Sequence, residues 1–403
     1  MTVASFLLFV IAGTPAAVIL LGLLVVLARK RRGPTAPPLV TYGAPVIGNL
    51  LEFALGQEGP LSFIKKSMAA VGPVFSVHIG HKTLTFLIGP EPSRPFFQSK
   101  DDVFSQNEVY GFMTAVFGKD VVYDAPPAKR KAQMQHMSNG LRKDRLTSYV
   151  PKIVRETEAY LEEHMPGDAG EVDILKALSE LTILTASRCL HGDDVREHLY
   201  KEVSQLYHDL DKGITPLSFF WPNAPIAGHA QRDAAREQMG KLFADVIAAR
   251  RNRSAEAAAE ATDILQVFID MKYKDGTSAT SDEVTGLLIA LLFAGQHTSS
   301  VTSTWTTMLI ANDGALLRRV LQEQTAVLGS NGGGSELTFD QVNQMELLHN
   351  CVKEALRMYP PLIMLMRQAM KDVAVTSDDG EYNVWIFLCD AALWSFRHKT
   401  SSS

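Results

Sequence analysis

Cysteine is scarce in this chain: Cys189, Cys351 and Cys389 are the three among 403 residues. That number and their scatter exclude a disulfide framework and a cysteine-rich zinc site, and they suit a reducing compartment. An excess of charge of one sign is lacking too. A formal net charge of −5 offers no basic surface to nucleic acid, so no such partner is implied. No internal repeat is apparent, and low complexity is confined to the Gly/Ser-rich stretch 329–335, a flexible loop. What is present is a chain with 46% hydrophobic and 21% charged residues, enough for a sizeable core in one large domain or two ordinary ones.

Residues 6–28 are almost wholly apolar and end at Arg29-Lys30-Arg31-Arg32. No charged side chain precedes the run, unlike the basic start of a secretory signal. Its roughly 23 residues suffice to span a bilayer. The basic cluster behind it puts the bulk of the chain in the cytosol. The expectation is an uncleaved transmembrane anchor over 1–28; a cleaved signal is the competing reading. Pro34, Pro37, Pro38 and Pro45 stiffen a basic, proline-rich hinge over 29–48. Helical periodicity over 61–71 stops at Gly72-Pro73, and alternation over 75–79 and 84–88 predicts a β-hairpin. Lys129-Arg130-Lys131 open a helix and read mostly as a solvated basic face. From 150 to 251 the pattern is nearly all helical, with Asp173 as N-cap of a helix over 174–190 and Cys189 a small buried hydrophobe. An aromatic, proline-punctuated link covers 207–225 and includes Phe219-Phe220-Trp221, while 250–262 reads as an exposed connector.

The longest element is expected over 280–312. Thr280 with Glu283 matches a capping box, and Asp282 adds negative charge to the first turn. Leu287, Leu288, Ala290, Leu291, Leu292 and Phe293 make the helix apolar nearly all round, which predicts burial. At its midpoint stands Ala294-Gly295-Gln296-His297-Thr298-Ser299-Ser300. A mid-helix glycine costs about 1 kcal/mol relative to alanine, and buried polar side chains need partners. A helix carrying both lets something approach its backbone closely. Farther on, 345–359 forms a helix ended by Pro360-Pro361, with Glu354 and Arg357 on one face. That spacing alone marks a surface pair, whereas the apolar neighbours and the following Leu362-Ile363-Met364-Leu365-Met366-Arg367 favour burial.

The Ala294-Gly295 step resembles the centre of the long distal helix of cytochrome P450, and the His297-Thr298 pair resembles its sterol 14α-demethylase family in particular. The loop from Tyr110-Gly111-Phe112-Met113 through Phe117-Gly118 to Val121-Val122-Tyr123-Asp124 is similar to that family's loop over the active site. The resemblance implies a mainly α fold with a small β-sheet, haem as cofactor, a sterol substrate and an NADPH-dependent reductase as partner. It places the protein in the endoplasmic reticulum membrane with its catalytic domain facing the cytosol. By the same resemblance Tyr110, Tyr123, Arg130 and Arg367 hold the haem propionates. Phe112, Met113, Phe117, Ala294, Leu362 and Met366 wall the sterol pocket. Gly295 admits oxygen, His297 and Thr298 relay protons, and Glu354 with Arg357 locks the haem-side core. Phe112 resembles members that prefer sterols with one methyl at carbon 4. Core filling by the aromatics, a satisfied core histidine at 297 and a surface arginine at 367 are the plainer alternatives.

The similarity covers 34–384, giving a catalytic domain over 49–384 and a divergent tail over 385–403. The family's glycine-rich loop with the iron-ligating cysteine has no match here. Cys389 lies too close after Arg357 and lacks flanking glycines, so no metal ligand is assigned. The expectation is a cytochrome P450 fold incomplete at its C-terminus and inactive as written. The alternative is a non-catalytic, membrane-anchored sterol-binding fragment or an aberrant splice product.

Overall fold

The structure, a computed structural model, describes residues 35–42, 49, 59–79, 82–165, 167, 169–254, 261–329, 337–384 and 389–393. The anchor expected over 1–28 and most of the hinge lie outside these residues. Two compact units emerge, one of Met1–Val109 with Ile363–Ser403 and the other of Tyr110–Leu362.

The first unit is built on β-structure. Strand β1 (Leu39–Val40) runs parallel to β2 (Val74–Ile79), which pairs antiparallel with β3 (Lys82–Ile88) as the alternation predicts. Phe75 lies opposite Phe86 in the register, and their rings stack at 5.0 Å, a cross-strand pair that fixes the pleat. Helix α1 (Gly59–Val71) precedes the hairpin and α2 (Pro90–Gln98) follows it. The sheet continues with β4 (Phe104–Ser105) and β5 (Leu365–Ala369), while β6 (Val373–Ser377) and β7 (Gly380–Val384) form a separate hairpin. Strand β8 (Cys389–Leu393) inserts between β3 and β5, giving the order β1-β2-β3-β8-β5-β4. The core here is Val74, Leu87, Phe96, Phe104, Ala369, Val375 and Val384.

The second unit is helical. After α3 (Asn107–Tyr110) come α4 (Thr114–Phe117), α5 (Pro127–Gly140), α6 (Lys143–His164), α7 (Ile174–Ala186), α8 (Asp193–His198) and α9 (Tyr200–Lys212). They are followed by α10 (Pro216–Phe220), α11 (Ala227–Arg251), α12 (Ile264–Ile269), α13 (Ser281–Asn312), α14 (Gly314–Leu328), α15 (Phe339–Gln344) and α16 (Glu346–Met358). Helix α13 is the axis, with α7, α11, α12 and α16 packed around it. Its start is the expected capping box: Thr280 N–H donates to Glu283 at 2.7 Å, and Glu283 N–H donates to the Thr280 hydroxyl at 3.2 Å. Among the described residues it is the one helix long and apolar enough to cross a bilayer, and most of that stretch is buried by neighbouring helices, as befits a core element.

Several expectations are corrected. The helix capped by Asp173 stops at Ala186 and closes through a wider π-type turn, Ser187–His191. Tyr207 belongs to α9 rather than to a link, because its ring fills the core. Arg250 ends α11 in the interior, paired with Asp194 at 2.5 Å and Asp263 at 2.6 Å, and is no part of an exposed connector. The basic face at the start of α5 is solvated only at Lys131: Arg130 is buried, and Lys129 pairs with the buried Glu283.

Candidate active site

The centre of α13 opens where its first half closes. Leu287, Leu288, Ile289, Ala290 and Leu292 are buried, whereas Ala294 and His297 are exposed and Gly295 and Thr298 half-buried. A Cβ placed on Gly295 would meet nothing within 4 Å. The step from leucines to small residues therefore leaves open space along the helix, as the sequence predicts. About two and a half turns earlier the reverse holds. A Cβ on Gly286 would fall 2.0 Å from the Phe117 carbonyl oxygen, so α4 lies directly on the backbone of α13. Arg236 secures that contact by donating to the Phe117 carbonyl at 3.3 Å and to the Asp282 carboxylate at 2.7 Å.

On the open side, His297 Nε2 lies 3.2 Å from Asp211 Oδ1 on α9. The hydrogen bond to Asp211, aided by its charge, outweighs desolvation and raises the imidazole above the ordinary histidine value. Thr298 donates back to the Ala294 carbonyl at 2.5 Å, so its hydroxyl is held by its own helix. Gln296 points the other way, into the core, with its Oε1 unbonded among the described residues.

The aromatic loop from Tyr110 to Tyr123 packs beside this opening. Tyr110 stacks on Tyr123 at 4.5 Å, and Phe117 bridges Tyr123 at 6.1 Å and Phe293 of α13 at 6.0 Å. Phe112 touches Tyr110 at 6.3 Å and Phe219 at 6.0 Å, while Met113 packs on the main core. The two aromatic stretches of the sequence, 110–123 and 219–221, thus meet at Phe112. Sequence reasoning missed what holds this loop. Asp120 and Val122 both adopt positive φ, 61° and 47°, a conformation that disfavours a β-branched residue. The buried Gln133 fixes them, accepting from Val122 N–H at 2.9 Å and donating to the Asp120 carbonyl at 2.8 Å. A lone glutamine on a helix carries no signal of such a role.

The remaining site residues are dispersed. Glu354 and Arg357 form the expected ion pair, with bonds of 2.5 and 2.7 Å, but both side chains are about half exposed. Their burial is therefore corrected: among the described residues α16 buries only Ala355. Leu362 is 61% exposed. Met366 and Arg367 stand on β5 in the sheet unit, where the Arg367 guanidinium covers the Phe96 ring at 5.1 Å.

A haem needs donors for its propionates, clear space on one face and an axial ligand. Phenols and a buried guanidinium are donor types that suit carboxylates; the helical unit has phenols at Tyr110 and Tyr123 and a buried Arg130, and Gly295 has clear space beside it. The thiols fit less well. Burial pushes Cys189 up to about 12 and raises Cys351 too, so neither is poised as a thiolate. Among the described residues no cluster of histidine, cysteine and acidic side chains could hold a metal ion.

A profile of the family described as Cytochrome P450 matches residues 37–379. Obtusifoliol 14-alpha demethylase of Sorghum bicolor is 44% identical over 88% of this chain and 69% of its own length. Sterol 14-demethylase of Arabidopsis thaliana is 43% identical over 88% of this chain and 70% of its own. Lanosterol 14-alpha demethylase of Homo sapiens is 38% identical over 84% of this chain and 64% of its own. Retinoic acid bound cyanobacterial CYP120A1 shares the fold, with a TM-score of 0.75, 20% identity and coverage of 90% of this chain and 78% of that one.

Proposed function

The chain belongs to the sterol 14-demethylase branch of the cytochrome P450 monooxygenases, and on that premise we propose that it oxidatively removes the 14α-methyl group of a sterol. Haem iron, when bound, supplies the oxidising power. This chain's own residues bind, orient and hold protons. Tyr110, Tyr123 and Arg130 are donors for propionates, and Arg367 is a further one in the sheet unit. Phe112, Met113 and Phe117 offer an apolar wall to a flat, rigid ring system, and Leu362 and Met366 extend the apolar set. Ala294 and Gly295 keep the middle of α13 clear.

The observation that carries the reading is the His297–Asp211 pair beside that opening. Asp211 favours the charged imidazole, which then holds a proton at Nε2, toward the carboxylate, and another at Nδ1, free to leave. Thr298 stands next in line and passes a proton on once its hydroxyl turns from the Ala294 carbonyl. A reductase using NADPH and an anchor in the endoplasmic reticulum membrane complete the reading.

The test is product formation from obtusifoliol and from lanosterol, with reductase and NADPH supplied. Conversion of a 4-monomethyl sterol in preference to lanosterol is expected. In the same assay Thr298→Ala should consume NADPH without matching product, and unchanged coupling would remove Thr298 from the relay. A second reading, sterol binding without turnover, is favoured by the burial that raises both the Cys189 and the Cys351 thiol above the ordinary cysteine value. Sterol binding with no product in any condition would establish it instead.

A further inference from the structure

The Asp211–His297 contact is one rung of a ladder between α9 and α13. Four residues earlier on each helix, the Tyr207 ring lies on Phe293, with centroids 4.5 Å apart and planes at 48°. Residues four apart share a helix face, so the aromatic rung sits one turn before the ionic one. Tyr207 is 2% exposed and its hydroxyl has no hydrogen-bond partner among the described residues, so it contributes through its ring. Phe293 is wedged in turn against Phe117. Asp211 supplies both the hydrogen bond and the charge that shift the histidine. Helix α13 has no Asp, Glu, Lys or Arg between Glu283 and Asp313. On α7 the charged groups are Lys176 and Glu180, and on α9 Asp209 and Lys212 flank Asp211. His297 depends on where α9 holds one carboxylate, and the side chains of that pair are 54% and 35% exposed.

Resting on the relay reading above, we propose that Tyr207 is a positioning residue for the Asp211–His297 pair, its ring against Phe293 holding α9 where the carboxylate reaches the imidazole. The test is the titration of His297 by histidine-selective NMR on the full chain, its signal identified among the 11 histidines by its loss in His297→Gln. Tyr207→Phe keeps the ring and should leave the midpoint in place. Tyr207→Leu should move it down toward the ordinary 6.5. Phe293→Leu, which removes the other half of the stack, should do the same and serves where Tyr207→Leu does not fold. Asp211→Asn is the control: it should lower the midpoint in the parent and add little in the Tyr207→Leu or Phe293→Leu background, where the contact is already lost. If Asp211→Asn lowers it but neither leucine variant does, Tyr207 has no positioning role and the relay reading stands. If Asp211→Asn leaves it unmoved, the pair and the relay reading fail together.

Discussion

His191 shows how one buried side chain makes stability depend on pH. It lies in the π-type turn after α7, fully enclosed, edge-on to Phe243 at 5.2 Å, with Nδ1 unbonded among the described residues. Burial, reinforced by the Arg250 guanidinium and opposed by Asp194, lowers its pKa to about 4. The unfolded chain therefore binds this proton near pH 6.5 while the native one does not, so stability falls as pH drops through that window and levels off below pH 4. From pH 7 to pH 5 the loss is about 2 kcal/mol. Urea midpoints at the two pH values should differ less in His191→Phe than in the parent. An equal pH dependence would mean that the group is not buried in its neutral form. The ion pairs offer a second contrast. Glu156 is buried with Arg188 and also accepts from Arg196 at 2.7 Å, so Glu156→Ala should cost about 3–5 kcal/mol. Glu354→Ala should leave the melting temperature nearly unchanged, because its pair is exposed. The exposed pair was legible because its members are three residues apart. The buried one joins residues 32 apart, and no local pattern announces that.

Two glycines of α13 separate open space from contact. Gly295→Ala adds a methyl group where nothing lies within 4 Å, so it should stabilise the helix by about 0.5–1 kcal/mol. If the opening admits a reactant, the same variant should lose turnover while its melting temperature rises. Gly286→Ala drives a methyl group into the Phe117 carbonyl and should destabilise by roughly 1–3 kcal/mol. Equal effects of the two would refute the notch. Much of this element could be read in advance: the capping box, the apolar first half and the small-residue centre are all local patterns. Its partners could not. Glu283 reads as half of a cap, yet it also holds Lys129 of α5, whose ammonium stays above the ordinary lysine value although burial alone would lower it. The short strands β5 to β8 were missed for a related reason, since five residues carry too little periodicity to outvote helix or loop.

At the scale of the whole molecule, each unit encloses its own core, and the residues expected around haem and sterol are shared out between them, Phe112, Met113 and Phe117 in one and Met366 with Arg367 in the other. Family membership says what chemistry such a chain performs; its thiols say what the described residues contribute to it. A thiolate ligand must lose its proton before it can donate to iron. Cys189 is 5% exposed with its thiol pushed up to about 12, and Cys351 on α16 is also raised by burial. Neither has a cation placed to reverse that: Arg188 and Lys152 act on Cys189 but are outweighed by desolvation, and Arg319 acts on Cys351 against Glu323. Haem titrated into the chain should therefore give the same absorption spectrum in Cys189→Ala and Cys351→Ala as in the parent, both before and after reduction under carbon monoxide. A thiolate-type band present in the parent and lost in either variant would show that the protein overcomes the burial penalty at that position, and the axial ligand would then lie among the helices that carry it.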